Sequence, residues 1–130
     1  MGDKQRARVE ESLHQLIAGL LVRRVKDPRV ANVSITRVKM SKDYTLAKVL
    51  YNIIGGSDNL PDVEAGLRSC SGFIRNQIRG HMRLRVIPEL AFIYDASLDR
   101  AMEIESLIQT IHDEEKEREE DGDERRDIRE

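Results

Sequence analysis

Val30–Ile54 reads VANVSITRVKMSKDYTLAKVLYNII, and this stretch decides the fold class of the chain. Its two runs, Val30–Met40 and Tyr44–Ile54, are rich in Val, Ile, Thr and Tyr, the residue types that favour strands. The link Ser41–Asp43 between them is short, polar and typical of a turn. The stretch therefore predicts a β-hairpin.

The apolar positions of the two strands indicate how the hairpin meets a core. In the first strand they change phase, from Val33 and Ile35 to Val38 and Met40. A strand with a single buried face needs a β-bulge or a twist to accommodate such a change. The second strand holds one phase, through Ala47, Val49, Tyr51 and Ile53.

A helix is predicted on the N-terminal side of the hairpin. From Arg8 to Val25, apolar residues recur at the spacing of a helical stripe, and they are Val9, Leu13, Leu16, Ile17, Leu20 and Leu21. Because proline disfavours helical geometry in the residue before it, the helix is expected to end at Lys26-Asp27-Pro28.

A second helix is predicted on the C-terminal side, from about Pro61 to Arg79, since a proline in the first turn with acidic residues close behind favours a helix start. Gly72 falls in its middle, where glycine costs about 1 kcal/mol and the flanking serines compete for backbone hydrogen bonds. A kink or a break is expected there. Gly80 is expected to supply the C-terminal cap.

Leu90–Tyr94 is predicted to be a third strand, and its nearly continuous apolar character predicts burial on both faces. Ser97 is expected to cap a last helix with an apolar seam, formed by Leu98, Ala101, Ile104, Leu107, Ile108 and Ile111. The predicted order is helix, strand, strand, broken helix, strand, helix. Three strands with helices on one face make a two-layer α+β fold.

The charge of the 130-residue chain is unevenly distributed. Residues 1–112 carry 17 Lys and Arg against 13 Asp and Glu, a net charge of +4, whereas residues 113–130 carry 5 against 11, a net charge of −6. The acidic segment has one large apolar residue, Ile128, and cannot bury enough surface to offset its ordering entropy. We therefore expect a basic domain over 1–112 and a disordered acidic tail over 113–130, so the overall charge of −2 does not exclude nucleic acid.

No catalytic or metal-binding pattern is recognisable. His14, His81 and His112 lie on different predicted elements, without metal-ligand spacing or a triad pattern. Cys70, the one cysteine, lies on the apolar stripe of the second helix and is expected to be a small buried hydrophobe. We therefore expect no enzymatic activity, no metal and no cofactor.

The sequence also bears on the compartment. It has no run of about 18 uncharged apolar residues, and Met1–Arg6 lacks the apolar core of a secretory signal. A single cysteine excludes an internal disulfide and suits a reducing compartment. We therefore expect a cytoplasmic protein with no membrane association.

Basic residues form clusters that favour RNA as a partner. Arg75 and Arg79 lie on one side of the second helix, away from its apolar stripe, and Arg83 and Arg85 continue the run. Further clusters surround the end of the first helix and the hairpin turn, formed by Arg23, Arg24, Lys26, Arg29, Lys39 and Lys42. Guanidinium groups bind phosphate bidentately and stack on bases, so several such clusters suit RNA.

Aromatic residues are few and are expected to be buried. Phe73, Phe92 and Tyr94 lie in apolar runs where the core is the default location. The sequence therefore predicts that no aromatic platform is exposed for base stacking. It predicts instead that RNA is recognised mainly through its backbone and shape.

Four segments together resemble one known family. They are Val25-Lys-Asp-Pro-Arg29, Gly72-Phe-Ile-Arg75, Met82-Arg-Leu-Arg85 and Pro88-Glu-Leu-Ala-Phe-Ile-Tyr-Asp-Ala-Ser97, and in this order and at these intervals they are similar to ribosome-binding factor A. The resemblance covers about Lys4–Ile111.

The resemblance implies a type II KH-like domain in which an Ala-x-Gly helix kink replaces the usual G-x-x-G loop. Here the kink motif is Cys70, Ser71 and Gly72, with cysteine in place of alanine. It also implies a factor without enzymatic activity that binds 16S rRNA in the immature 30S subunit. Such a factor assists late subunit maturation, 5′-end rRNA processing and growth in the cold, and a ribosome-associated GTPase is linked to its release.

The clusters and the resemblance together define the expected RNA-binding residues of a monomeric protein. They are Arg23, Arg24, Lys26, Arg29, Lys39, Lys42, Ser71, Gly72, Arg75, Arg79, Arg83 and Arg85. An alternative function is a protein-interaction module of the same α+β class, which would dock through the seam of the last helix and the acidic tail. Steep weakening by salt would indicate RNA, and a weak salt dependence would indicate apolar docking.

Overall fold

The computed structural model describes residues 2–56, 58–97, 104 and 107–115. The chain divides into two compact units, Met1–Asp95 and Ala96–Glu130. The elements of the first unit are helix α1 (Asp3–Arg23), a 3-10 turn (Pro28–Val30), strands β1 (Val33–Met40) and β2 (Leu46–Ile53), helix α2 (Leu60–His81) and strand β3 (Glu89–Tyr94). This succession confirms the predicted α+β order.

β1 and β2 form the predicted hairpin and pair antiparallel. Their register shifts between Ile35 and Arg37, so that Thr36 falls outside the regular pairing. This bulge lets Ile35 and Val38 both point into the core, where they are buried. The predicted bulge, inferred from the change of apolar phase, is confirmed.

β3 completes a mixed sheet of order β1-β2-β3. It pairs parallel with β2, from Leu46 opposite Glu89 to Tyr51 opposite Tyr94. A parallel pair needs a long crossover connection, and α2 supplies it. Residues of α1 and α2 pack on the same sheet face, the one that carries Ala47, Val49, Tyr51 and Ile53.

The expectation that β3 is buried on both faces is wrong. β3 is an edge strand, and its helix-facing residue Phe92 is only half-buried. Ile93, on the opposite face, is 40% exposed. An apolar run therefore indicated a strand here without indicating whether that strand lies in the centre or at the edge of the sheet.

α2 runs without interruption from Leu60 to His81, so the expected break at Gly72 is absent, while a kink at Cys70, Ser71 and Gly72 within the continuous helix stays a prediction. Cys70 and Ile74 are buried on either side of Gly72. Their packing against the core holds this turn in helical geometry against the low helix propensity of glycine.

The expected cap at Gly80 is wrong, because Gly80 lies inside α2. The helix stops at Met82, whose backbone is extended. The N–H of Met82 donates to the carbonyl of Ile78 over 2.9 Å, which satisfies one of the last helical carbonyls.

Two polar side chains attach α1 to β1. The Glu10 carboxylate accepts a hydrogen bond from the N–H of Met40 (2.7 Å), and Nε2 of His14 donates to the carbonyl of Ile35 (2.9 Å), beside the bulge. These bonds fix the position of α1 along the strand. The predicted apolar stripe supplies the contact itself, through the buried residues Leu13, Ile17, Leu20 and Leu21.

The second unit contains helical residues at 104 and 107–115. Four members of the predicted seam, Ile104, Leu107, Ile108 and Ile111, are each more than half exposed. Leu98 and Ala101 lie outside the described residues, as does the chain from 116 onward. The disorder of the acidic tail therefore stays a prediction, and its first three residues are helical.

α2 and the 3-10 turn approach each other closely at Gly66. A Cβ at this position would lie 2.8 Å from Cγ1 of Val30 and 3.0 Å from Cβ of Arg29. Val30 is only 1% exposed, so its short, stiff side chain has little space into which it can move. A Cβ at Gly72, in the same helix, would have no heavy atom within 4 Å.

We expect Gly66→Ala and Gly72→Ala to change stability in opposite directions. Overpacking costs about 1–3 kcal/mol and outweighs the gain in helix propensity at Gly66, so the free energy of unfolding falls by about 1 kcal/mol. At Gly72 only the propensity changes, and the free energy of unfolding rises by about 0.5–1 kcal/mol. Urea denaturation measures both values, and a stabilised Gly66→Ala variant would contradict the close approach.

Candidate nucleic-acid interface

Four of the predicted RNA-binding residues lie at the junction of α1 and the 3-10 turn, and we call them the junction cluster. All four are exposed, and they are Arg23, Arg24, Lys26 and Arg29. The junction is short because Asp27 starts the next turn at once, its carboxylate accepting the N–H of Arg29 over 2.9 Å. The sequence therefore concentrates four cations in seven residues.

Arg29 is engaged by a neighbouring acid. Its Nε lies 3.0 and 3.1 Å from the two carboxylate oxygens of Asp27, and its terminal nitrogen lies 2.6 Å from one of them. These side-chain hydrogen bonds lower the pKa of Asp27 and raise the pKa of Arg29. The same terminal nitrogen is 3.4 Å from the Ser69 hydroxyl of α2, so Arg29 also links the junction to that helix.

Phe73 is exposed rather than buried, which corrects the expectation from the sequence. Its side chain is 36% exposed, and the guanidinium carbon of Arg24 lies 5.9 Å from its ring centroid. This distance is that of a cation–π contact. Helical spacing already indicated that Phe73 is exposed. It directly precedes the buried Ile74 and so points about 100° away from the apolar stripe.

Arg24 and Phe73 border an open depression of about 370 Å³. Lys26 and Ser69 line it together with Cys70, whose thiol donates to the carbonyl of Leu67 over 3.4 Å. Burial raises the pKa of that thiol, so Cys70 is a packing residue here and not a reactive one. The depression thus presents cations, a hydroxyl and an aromatic face, together with the Asp27 carboxylate, which is paired with Arg29.

Ser71 and Gly72 occupy different surroundings. Ser71 is half-buried and lines a cleft of about 470 Å³ between α2 and β3, next to Arg68. Gly72 is exposed, and no heavy atom lies within 4 Å of the position that a Cβ would take. A ligand therefore has room to approach the helix backbone closely at this residue. The middle of α2 therefore separates two open surfaces, the junction depression and the β3 cleft.

Arg75 is directed at the main chain of its own domain. Its Nε donates to the carbonyl of Pro88 and a terminal nitrogen to that of Ile87, both over 3.1 Å. The side chain is half-buried, in contrast to exposed Arg79 one turn later. Arg75 thus positions the segment that leads into β3, and the sequence did not indicate this because helical spacing does not show which loop returns to the helix.

Arg83 and Arg85 lie far from the junction cluster. Both are exposed and border a cavity of about 430 Å³ with Asp43 and Tyr44 of the hairpin turn and with Gln5 near the start of α1. The junction cluster lies at the other end of α1, and a 21-residue helix is about 30 Å long. The predicted cations therefore form two separate groups, with exposed Lys42 in the hairpin turn beside the second.

Lys39 belongs to neither group. It is exposed on β1 and pairs with Lys48 of β2, on the sheet face opposite the helices. Sequence proximity to the hairpin turn placed it with Lys42, but strand alternation turns its side chain to the other side of the sheet.

Among the described residues, no group of three or more His, Cys, Asp or Glu side chains could hold a metal ion. His81 is bonded through Nδ1 to the carbonyl of Gln77 in its own helix (2.8 Å). No described helix is both long and apolar enough to cross a membrane.

Comparisons with known proteins agree on one family. The family model for ribosome-binding factor A matches residues 5–108. The chain is 43% identical over 101 residues to ribosome-binding factor A of Nitrosomonas europaea, an alignment that covers 78% of this chain and 86% of the relative. It is 41% identical over 108 residues to that of Geotalea uraniireducens, covering 83% of this chain and 88% of the relative.

Solved structures share the fold. The crystal structure of ribosome-binding factor A from Thermus thermophilus superposes with a TM-score of 0.62 at 20% identity, covering 68% of this chain and 93% of the other. A Thermotoga maritima protein solved by NMR gives a TM-score of 0.62 at 27% identity, covering 72% and 89%.

The mixed three-stranded sheet crossed by α2, together with these neighbours, defines a KH-like α+β domain. With a family model matched over residues 5–108 and relatives above 40% identity, the chain belongs to the ribosome-binding factor A family.

Arg75 and Arg79 provide a matched test of structural and surface roles. Removing the two half-buried hydrogen bonds of Arg75 by Arg75→Ala is expected to lower the free energy of unfolding by about 1.5–3 kcal/mol. Arg79→Ala removes an exposed arginine from the same helix and is expected to stay within about 0.5 kcal/mol of the parent. Urea denaturation of both variants checks this, and equal stabilities would exclude the positioning role of Arg75.

Proposed function

We propose that this chain is a ribosome assembly factor that acts without enzymatic chemistry. It binds 16S rRNA in the immature 30S subunit and assists late subunit maturation and 5′-end rRNA processing in the cytoplasm. Family membership supports the ribosome as its partner. The same fold is found in a homology model of the Thermus thermophilus ribosome binding factor A that was fitted into a cryo-electron microscopy map of a 30S complex. The two chains superpose with a TM-score of 0.57 at 21% identity, covering 70% of this chain and 96% of the other.

The single observation that carries the proposal is the exposed ring of Phe73 under the guanidinium of Arg24. An aromatic face accepts an unpaired base whatever its identity, and a neighbouring guanidinium binds the adjoining phosphate. Gly72, with no side chain and open space around it, lets the RNA backbone approach the helix. The depression thus offers the two kinds of contact that single-stranded RNA requires.

The remaining residues take roles that follow from their positions. Arg23, Lys26 and Arg29 contact phosphates around the depression, and Ser71 contacts RNA from the β3 cleft. RNA backbone is contacted by the second group of cations, Arg83, Arg85 and Lys42, and by exposed Arg79 of α2. Arg75 contributes by holding the segment before β3, and Lys39 contacts RNA from the other sheet face.

Two further properties belong to the proposal. The protein acts as a monomer, because each residue assigned above lies in one KH-like unit. A ribosome-associated GTPase takes part in its release, which fits a bound factor that must leave before the subunit functions. Neither an added metal nor a cofactor enters this scheme.

Phe73→Leu is expected to weaken binding to deproteinised 16S rRNA about 5- to 150-fold, since loss of one base–aromatic stack costs about 1–3 kcal/mol. The leucine keeps an apolar side chain at a partly exposed position, so the thermal midpoint should stay close to that of the parent. Filter binding at fixed salt measures the affinity.

The matched control is Ile54→Ala, which shortens a side chain that is 69% exposed and lies outside the interface. It should bind as the parent does. Parental affinity of Phe73→Leu would show that the ring is not an RNA contact, whereas equal losses in both variants would point to a general effect of surface change.

A second candidate function rests on the exposed seam of the C-terminal unit. Ile104, Leu107, Ile108 and Ile111 present an apolar helical stripe that could dock on another protein. Salt separates the two functions, because RNA binding weakens steeply between about 0.05 and 0.2 M salt and apolar docking does not. Retained association with small subunits over that range would favour the docking function.

A further inference from the structure

The sheet face opposite the helices carries a group of cations with apolar neighbours. Arg37, Lys39 and Lys48 are all exposed there. Strand pairing sets Lys39 directly opposite Lys48, and Arg37 opposite Leu50. We call this surface the open face, and it also carries Ile93 of β3, which pairs with Leu50 and is 40% exposed.

The Lys39–Lys48 pair is electrostatically unfavourable in the isolated domain. The Cβ atoms of residues opposite each other on neighbouring strands are about 5 Å apart, and like charges in such a pair are destabilising. Among the described residues, the ion pairs are Arg6 with Asp3 and Arg29 with Asp27, so no described carboxylate lies within 4.0 Å of either lysine nitrogen. Glu89 shares the face, opposite Leu46, and the Asp95 carboxylate lies on the same side, where it accepts a hydrogen bond from the Thr36 hydroxyl over 3.2 Å. Three cations against these two carboxylates leave the face with a net positive charge.

The apolar part of the open face does not belong to the core. Leu50 and Ile93 are absent from the set of residues that pack in or against the hydrophobic core, although both lie in the sheet. They pair with each other across β2 and β3 and form an apolar strip next to Arg37 of β1. Such a strip can cover the sugar edge of a nucleic acid while the cations bind its phosphates.

We propose that the open face binds a second segment of RNA backbone, so that the domain lies between two RNA segments. This inference rests on the proposed function, which assigns the first segment to the depression beside Phe73. The occupant is a polyanion because the three cations need negative charge to offset their mutual repulsion. A second copy of this chain would place like charges against each other.

The surface recognises phosphate and not base sequence. None of the residues on the open face named above is aromatic, so it offers no base-stacking platform. Long cationic side chains on a flat sheet bind a backbone by charge, releasing counterions as they do so. The open face therefore adds affinity and fixes the orientation of the domain, while the Phe73 side contacts bases.

The first test neutralises the lysine pair with Lys39→Gln and Lys48→Gln in the full chain. Two lost phosphate contacts should reduce the slope of log affinity against log salt for 16S rRNA by about 1.4–1.8. The stability of the fold should not fall, because the like-charge pair is gone. The matched control, Lys4→Gln with Arg8→Gln, removes the same charge from the exposed first turns of α1 and should leave the slope within about 0.5 of the parental value.

The second test locates RNA directly. An iron chelate that cleaves nearby RNA is attached to Ile93→Cys on the open face or to Asn76→Cys on the exposed side of α2, with the unmodified chain as a control because its own Cys70 is buried. Each variant is bound to small ribosomal subunits. Cleavage of two different rRNA segments, one from each position, is the expected result.

Other outcomes overturn one claim or both. Cleavage from Asn76→Cys alone, with an unchanged salt slope for the lysine variant, excludes the second RNA segment and the RNA contact of Lys39, and leaves the rest of the proposed function intact. Cleavage from neither position overturns the proposed function as well. Equal slope changes in the lysine variant and its control would assign the effect to total charge and not to the open face.

Discussion

The parallel pairing of β2 and β3 is the constraint on which the rest of the domain depends. The N–H of Glu89 donates to the carbonyl of Thr45 (2.9 Å), and at the other end the N–H of Asp95 donates to that of Tyr51 (2.7 Å). The buried Asn52 amide adds a bond to the carbonyl of Asp95 (3.1 Å). Two parallel strands cannot be joined by a tight turn, so the chain between them must cross one face of the sheet. That crossing is α2, and it decides which side of the sheet becomes the core.

The position of α2 in turn creates the candidate interface. Gly66 lets the 3-10 turn come against the helix, and the junction cluster is brought next to the following turns of α2. Phe73 then lies beside Arg24 although 49 positions separate them in sequence. A bulky residue at Gly66 would push the junction away and separate the aromatic ring from its cation. The candidate interface is therefore a consequence of packing in the layer beneath it.

The sequence predicted most of the elements and fewer of the side-chain roles. Strand composition, the phase change between Ile35 and Val38 and the helical stripes follow from local periodicity, and the structure agrees with each. The break at Gly72 and the cap at Gly80 were wrong because burial of Cys70 and Ile74 outweighs the preference of single glycines. Helix propensity considers a residue only with its neighbours in sequence. Packing against the core sets how much stability the helix loses at a residue of low propensity.

The side-chain roles depend on contacts between distant segments. Arg75 could not be assigned to the carbonyls of Ile87 and Pro88 without knowing that the chain turns back after α2. Lys39 could not be separated from Lys42 until strand pairing set its direction. For Phe73 the information was present in the helical spacing, but its place in an apolar run favoured the core. Residue type therefore predicted the chemistry of the candidate interface, and topology decided its geometry.

The arrangement of the cations also explains how a chain of net charge −2 can bind a polyanion. A helix layer about 10 Å thick lies between the outer surface of α2 and the sheet, so the two sides are separated by at least a Debye length at physiological salt, which is about 8 Å. In the proposed complex, each cation group acts on the phosphates nearest to it, and its binding free energy adds to that of the other group. Under the proposed function, several modest contacts of this kind hold the factor on its subunit, and each can be lost separately when it is released.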